Sequence, residues 1–127
     1  MTSESTERRY AVAARSTERF GRVLCSARNH HFIVDGPVQN GCPGEAVTPA
    51  ELFLASVGAC GVELVQSLAR QDEIPLAHIG VEVAGAVDRS RPIRPDVTVL
   101  QWCTLDFVLS GVSQEQAEHL IERFKKT

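Results

Sequence analysis

The most informative stretch of the sequence covers residues 48–60 and reads TPAELFLASVGAC. It begins with a threonine suited to the N-cap, a proline at the first helical position and a glutamate three residues after the cap, the pattern of a capping box. Apolar residues then continue to Ala69 on nearly every face. The pattern predicts a helix from Pro49 to about Gln71 that is buried on most sides. Because a domain of this size hardly encloses about six helical turns by itself, we expect a partner subunit to cover part of the helix.

Extended segments are predicted on both sides of this helix. Alternation of apolar with polar or small residues predicts two or three antiparallel strands within residues 7–35, one strand over residues 79–88 and another over residues 96–109. Residues 35–44 are rich in glycine and proline and predict a loop. A second capping box at residues 113–116 begins a final helix. We therefore expect one α+β domain, residues 1–127, in which antiparallel sheets pack around the long buried helix.

Composition and charge exclude several classes of function. The net charge of −3 argues against nucleic-acid binding, which relies on clustered lysine and arginine. The N-terminus has no apolar signal-peptide region, and no window approaches the roughly 18 apolar residues that cross a bilayer, so we expect a cytoplasmic protein without a membrane partner. The four histidines lack the spacing of a metal site, and no glycine-rich nucleotide loop is found. We expect neither a metal nor a bound cofactor.

The cysteines are expected as free thiols. Cys25, Cys42, Cys60 and Cys103 show no CxxC or metal-type spacing, and a reducing compartment keeps such thiols unpaired. Cys25 and Cys103 share strand faces with apolar residues, which favours packing in the core. Cys60 lies within the long helix, where a cysteine is most often a small inert hydrophobic residue. Burial there would favour the protonated thiol, so a reactive thiolate needs a nearby cation.

Several segments resemble a known family. The segments HFIVDGP at residues 31–37, PAELFLASVGAC at residues 49–60 and LDFVLSG at residues 105–111 are similar to the OsmC/Ohr family of hydroperoxide-reducing proteins. The resemblance implies an intertwined α+β homodimer with helices buried against sheets and two active sites at the subunit interface. It also implies thiol-dependent reduction of organic hydroperoxides, with fatty-acyl hydroperoxides as one candidate class.

The resemblance further implies roles for individual residues. It places the peroxidatic cysteine at Cys60 and its arginine partner at Arg19, because RFGR at residues 19–22 is similar to the family's Arg-x-Gly-Arg. Glu51 would hold that arginine through a bidentate pair, although the family's acidic residue stands one position earlier. Completing the capping box is the alternative role of Glu51. Arg22 stays open as the arginine that activates Cys60.

A sulfenic acid on the peroxidatic cysteine must be reduced by a second thiol. The family's resolving cysteine stands in a Cys-Pro pair just past the last helix, and the sequence reaches Thr127 without one. Either the chain is trimmed or it works without that thiol. Cys42 is the candidate substitute, and an external thiol, for example a dithiol, is the expected reductant. The alternative function is a non-catalytic member of the fold that binds a small molecule or senses redox state.

Overall fold

The computed structural model describes residues 6–95 and 99–127. The chain divides into a first unit (Met1–Leu52) and a second unit (Phe53–Thr127), and each is described by itself. The expectation of one domain over residues 1–127 stays a prediction.

The first unit contains an antiparallel sheet of three strands. They are β1 (Ala13–Ser16), β2 (Arg22–Ala27) and β3 (His30–Asp35), in the spatial order β1-β2-β3. This confirms the antiparallel strands predicted within residues 7–35. The predicted loop follows, with a short 3₁₀ helix (Val38–Asn40) ending at Gly41, whose φ of 77° lies in the left-handed region that favours glycine.

The long helix α1 (Pro49–Gln71) has the predicted bounds, and its start is a capping box. The Glu51 carboxylate accepts hydrogen bonds from Thr48 N at 3.0 Å and Thr48 Oγ1 at 2.9 Å. In return, Thr48 Oγ1 accepts the N–H of Glu51 at 3.3 Å. These bonds satisfy donors that the first helical turn leaves without intrahelical partners, which explains why the helix begins here.

The described residues bury one face of α1. The buried residues follow a helical spacing: Gly58, Gly61, Val65, Leu68 and Ala69. Leu52, Phe53 and Cys60 are exposed. The prediction of a helix buried on most sides included a partner subunit that covers part of it, and that part stays a prediction.

The second unit packs this buried face of α1 on a hairpin. The hairpin consists of β4 (His78–Ala86) and β5 (Trp102–Ser110), paired antiparallel. Two glycines of α1 allow a close approach. A Cβ atom at Gly58 would lie 3.0 Å from Val83 Cγ2, and one at Gly61 would lie 3.1 Å from the Phe107 ring. The predicted strand over residues 79–88 is confirmed for most of its length. The strand predicted over residues 96–109 corresponds to β5, which begins at Trp102. Residues 96–98 lie outside the described residues.

The helix α2 (Gln114–Lys125) completes the core of the second unit. Its predicted capping box is present between Ser113 and Gln116. Leu120 of α2 is fully buried among Val65, Leu68, Ala69 and Ile79. Phe124 meets Phe107 of β5 edge to face, with ring centroids 5.2 Å apart.

Among the described residues, α1 is long and apolar enough to cross a membrane by length and composition, with a mean hydropathy of 1.6 over an 18-residue window. The expectation that no window reaches this level is therefore wrong, because α1 has three charged residues, Glu51, Glu63 and Arg70, among its 23, too few to offset its many apolar residues. The indication is weak, since the core helix of a soluble protein meets the same criterion.

Candidate functional site

Cys60 lies on the exposed side of α1, opposite the face that packs on the hairpin. Glu63 follows Cys60 by three residues and Ser67 follows Glu63 by four, so the three share one side of the helix. Both neighbours are exposed. The expectation that Cys60 lies in apolar surroundings is therefore wrong for the single chain, whose own residues leave this thiol accessible to solvent.

Arg19 lies in the turn between β1 and β2, in the first unit. Thr17 holds this turn, because its Oγ1 donates to the carbonyl of Arg22 at 2.9 Å and accepts the N–H of Arg19 at 3.2 Å. The Arg19 side chain is 58% exposed, and its Nη1 lies 3.0 Å from Glu45 Oε1. The turn therefore fixes the backbone of Arg19 while its guanidinium reaches toward solvent and Glu45.

Arg22 makes a bidentate pair with Asp35, the residue opposite it in the β2–β3 register. Arg22 Nε donates to Asp35 Oδ1, and Nη2 donates to Oδ2, both at 2.8 Å. The Asp35 carboxylate is fully buried and also accepts the N–H groups of Glu45 and Ala46 at 2.9 and 3.0 Å. The hydrogen bonds from Arg22, followed by those from the two backbone amides, hold the pKa of Asp35 far below its ordinary value.

Glu45 joins the two arginines. Its Oε1 lies 3.0 Å from Arg19 and 3.3 Å from Arg22 Nη2. We call Arg19, Arg22, Asp35 and Glu45 the arginine cluster. The sequence analysis did not predict that Asp35 and Glu45 contact these arginines, although the register of a β2–β3 hairpin would have placed Asp35 opposite Arg22.

Glu51 takes the role that was left as its alternative. Its carboxylate accepts the two hydrogen bonds from Thr48 that close the capping box, and these bonds lower the pKa of Glu51. Within the described part of the first unit, the acid that contacts Arg19 is Glu45. A function of Glu51 in holding Arg19 stays a prediction.

The cysteines occupy four different environments, and all four are free. Cys42 is half-buried, and its Sγ fills the space left by Gly21 and Gly36, where no Cβ atom could fit beside it. Cys25 is half-buried in β2. Cys103 is exposed, so the expectation of core packing is wrong for it. It lies at the start of β5, whereas Phe107, further along the strand, packs against α1.

The family model of OsmC-like proteins matches residues 42–127 of the sequence. The chain belongs to the OsmC family. This match includes α1 with Cys60 and the whole second unit, and it begins after Arg19 and Arg22. No curated protein matches the sequence.

Solved structures share the OsmC fold with this chain. An OsmC-like protein from Mycoplasma pneumoniae superimposes with a TM-score of 0.80 at 16% identity, over 95% of this chain and 83% of that one. An organic hydroperoxide resistance protein from Elizabethkingia anophelis, with crystallant-derived thiocyanate bound, superimposes with a TM-score of 0.77 at 20% identity, over 97% of this chain and 85% of that one. A protein from Legionella pneumophila described as an organic hydroperoxide resistance protein OsmC has a TM-score of 0.74 at 20% identity, also over 97% of this chain and 85% of that one. These likenesses confirm the predicted α+β fold.

Proposed function

We propose that this OsmC-family protein reduces organic hydroperoxides through Cys60, with an external thiol as reductant. The observation that carries the proposal is the position of Cys60, which lies at the end of the motif within the matched family segment and is exposed on α1. Two structural relatives are named organic hydroperoxide resistance proteins, which supports the same substrate class.

The proposed reaction balances with thiols alone. The Cys60 thiolate attacks one oxygen of the hydroperoxide, the O–O bond breaks, and the organic product leaves as an alcohol after taking up a proton. Cys60 becomes a sulfenic acid. A reductant thiol then forms a disulfide with Cys60 and releases water, and a second thiol, such as the other sulfur of a dithiol, frees Cys60 again. The protein needs no cofactor for this cycle.

In this proposal Arg19 supplies the positive charge that stabilises the Cys60 thiolate. Its guanidinium is largely exposed and is engaged on one side only by Glu45, so it retains donors for a second anion. Arg22 has its fork occupied by Asp35, which makes it the less suitable candidate. We also propose a cytoplasmic location, where reducing thiols are abundant.

Oxidation of Cys60 is the direct test. After one equivalent of cumene hydroperoxide, mass spectrometry should find one oxygen added at Cys60, and the Cys60→Ser variant should neither gain this oxygen nor consume peroxide with any thiol donor. A disulfide between Cys42 and Cys60 would assign the resolving role to Cys42. Peroxide consumption that survives in Cys60→Ser would contradict the proposal, and an unreactive wild-type protein would favour the non-catalytic binding function.

We further propose that the protein is an obligate homodimer. In the single chain, α1 leaves Phe53 54% exposed, and the hairpin leaves Trp102 and Val108 51% and 70% exposed. Exposed apolar side chains, here on α1 and on the hairpin face that does not pack against α1, are typical of surfaces that a second subunit covers. Sedimentation at low micromolar concentration should therefore find no folded monomer, and a well-folded monomer there would contradict the prediction.

A further inference from the structure

A cavity of about 600 Å³ lies beside the C-terminal half of α1, within the second unit. One wall is polar and is formed by four helix residues: Glu63, Gln66, Ser67 and Arg70. The other wall is apolar and consists of the chain that follows the helix, residues 74–76. The volume lies in the range of pockets that hold small organic ligands. Cys60 is not among the described residues that line this cavity, so the cavity is separate from the thiol.

The polar wall carries one charge of each sign. Glu63 and Arg70 are seven residues apart, which places them on the same side of α1 and about 10 Å apart along its axis. Neither has an ion pair among the described residues. Helical side chains of opposite charge pair at spacings of three or four residues, and these two are too far apart to do so. Both charges therefore stay available to a ligand.

Opposite charges at the two ends of one cavity suit a zwitterion. The Arg70 guanidinium offers a planar fork of donors that binds a carboxylate through two parallel hydrogen bonds. The Glu63 carboxylate accepts hydrogen bonds from an ammonium group, and Gln66 and Ser67 between the two charges can bond to peptide groups. The apolar wall at residues 74–76 lies at the Arg70 end, because the chain leaves the helix there. An apolar side chain next to the carboxylate of the ligand therefore meets apolar surface.

The distance between the two charges selects the length of the ligand. The amine and carboxylate of a single amino acid are bonded to the same carbon atom, which is too short a link, whereas about three residues span up to roughly 10 Å. We infer that the cavity binds a short zwitterionic peptide of about three residues, with its carboxylate on Arg70 and its amine on Glu63. Its C-terminal side chain is apolar and packs on residues 74–76.

The test is calorimetric titration with the tripeptide Ala-Ala-Leu, its N-acetyl form and its C-terminal amide. For the wild-type protein, blocking either end should raise Kd by about 10-fold or more, as expected for loss of a hydrogen bond between charged groups. Arg70→Gln should abolish the preference for the free carboxylate over the amide and should keep the preference for the free amine. Glu63→Gln should do the opposite. Ala-Ala-Ser should bind more weakly than Ala-Ala-Leu, because serine buries less apolar surface.

Two variants serve as controls. Arg89→Gln removes an exposed charge outside the cavity and should keep the wild-type affinity for each peptide. Cys60→Ser should also bind Ala-Ala-Leu as the wild-type protein does, because Cys60 does not line the cavity. Since the proposed peroxidase function predicts loss of peroxide consumption in the same variant, the two proposals can fail independently.

Several results would overturn the inference. They include no binding of Ala-Ala-Leu at millimolar concentration, equal affinity for the free and blocked peptides, and a loss in Arg70→Gln or Glu63→Gln that is the same for every peptide. Loss of peptide binding in Cys60→Ser would place the peptide at the thiol instead. Sedimentation of both charge variants is the last check, because dissociation of a dimer in either would assign that residue to the interface between copies.

Discussion

Replacing Arg22 by alanine should lower the melting temperature by about 10 °C or more. The change leaves the fully buried Asp35 carboxylate without its counter-ion and without two hydrogen bonds of 2.8 Å. Breaking a buried pair by removing one partner costs far more than losing an exposed pair, because the remaining charge stays desolvated. Thermal unfolding followed by circular dichroism measures the effect.

The same pair predicts how stability depends on pH. The pKa of Asp35 is depressed in the folded state, so its contribution is fully present above the ordinary aspartate pKa of about 3.9 and is lost as the pH falls below it. The melting temperature of the wild-type protein should therefore fall on acidification from pH 5 to pH 3, and Asp35→Asn should show a smaller dependence.

Arg15→Ala is the matched control for these measurements. Arg15 is exposed on β1, and substitutions at such positions usually change stability little. If Arg22→Ala has the same melting temperature as Arg15→Ala and the wild-type protein, the bidentate pair does not stabilise the first unit.

Replacing Arg19 by alanine should slow oxidation of Cys60 by roughly ten- to a thousand-fold while the protein stays folded. The expected loss follows from the effect of an adjacent cation on the fraction of thiolate at neutral pH. The fold should survive, because the ion pair of Arg19 with Glu45 is exposed on both sides, at 58% and 62%, and such pairs contribute little to stability. Stopped-flow measurement of thiol loss with a limiting amount of cumene hydroperoxide gives the rate.

Two control variants show whether the slower oxidation is specific to loss of Arg19. Arg15→Ala removes a charge from the neighbouring strand and should react at the wild-type rate. Glu45→Gln removes the acid that contacts Arg19 and should preserve fast oxidation if Arg19 acts on Cys60 directly. Should Arg19→Ala react normally while folded Arg22→Ala does not, the activating role passes to Arg22. If neither arginine affects the rate, the proposed activation is wrong.

The features that the sequence did not predict depend on contacts between residues that are distant in the chain. Glu45 reaches Arg19 and Arg22 across more than 20 residues, and nothing in the local pattern of Glu45 indicates this contact. Cys42 packs against Gly21 and Gly36 for the same reason, since only the folded loop brings the three together. Cys103 is exposed although its spacing places it on the same strand face as Phe107, so periodicity along one strand does not reveal its exposure.

The sequence by itself determined the helix starts, most of the strands, the OsmC family and the position of the candidate cysteine. Capping boxes at Thr48 and Ser113 and the alternation of the strands depend on residues within about four positions of one another, so they can be read directly. Only the tertiary structure decided which face of α1 is buried and that Arg22 pairs with Asp35. The covered face and the ion pair depend on packing between segments distant in the chain.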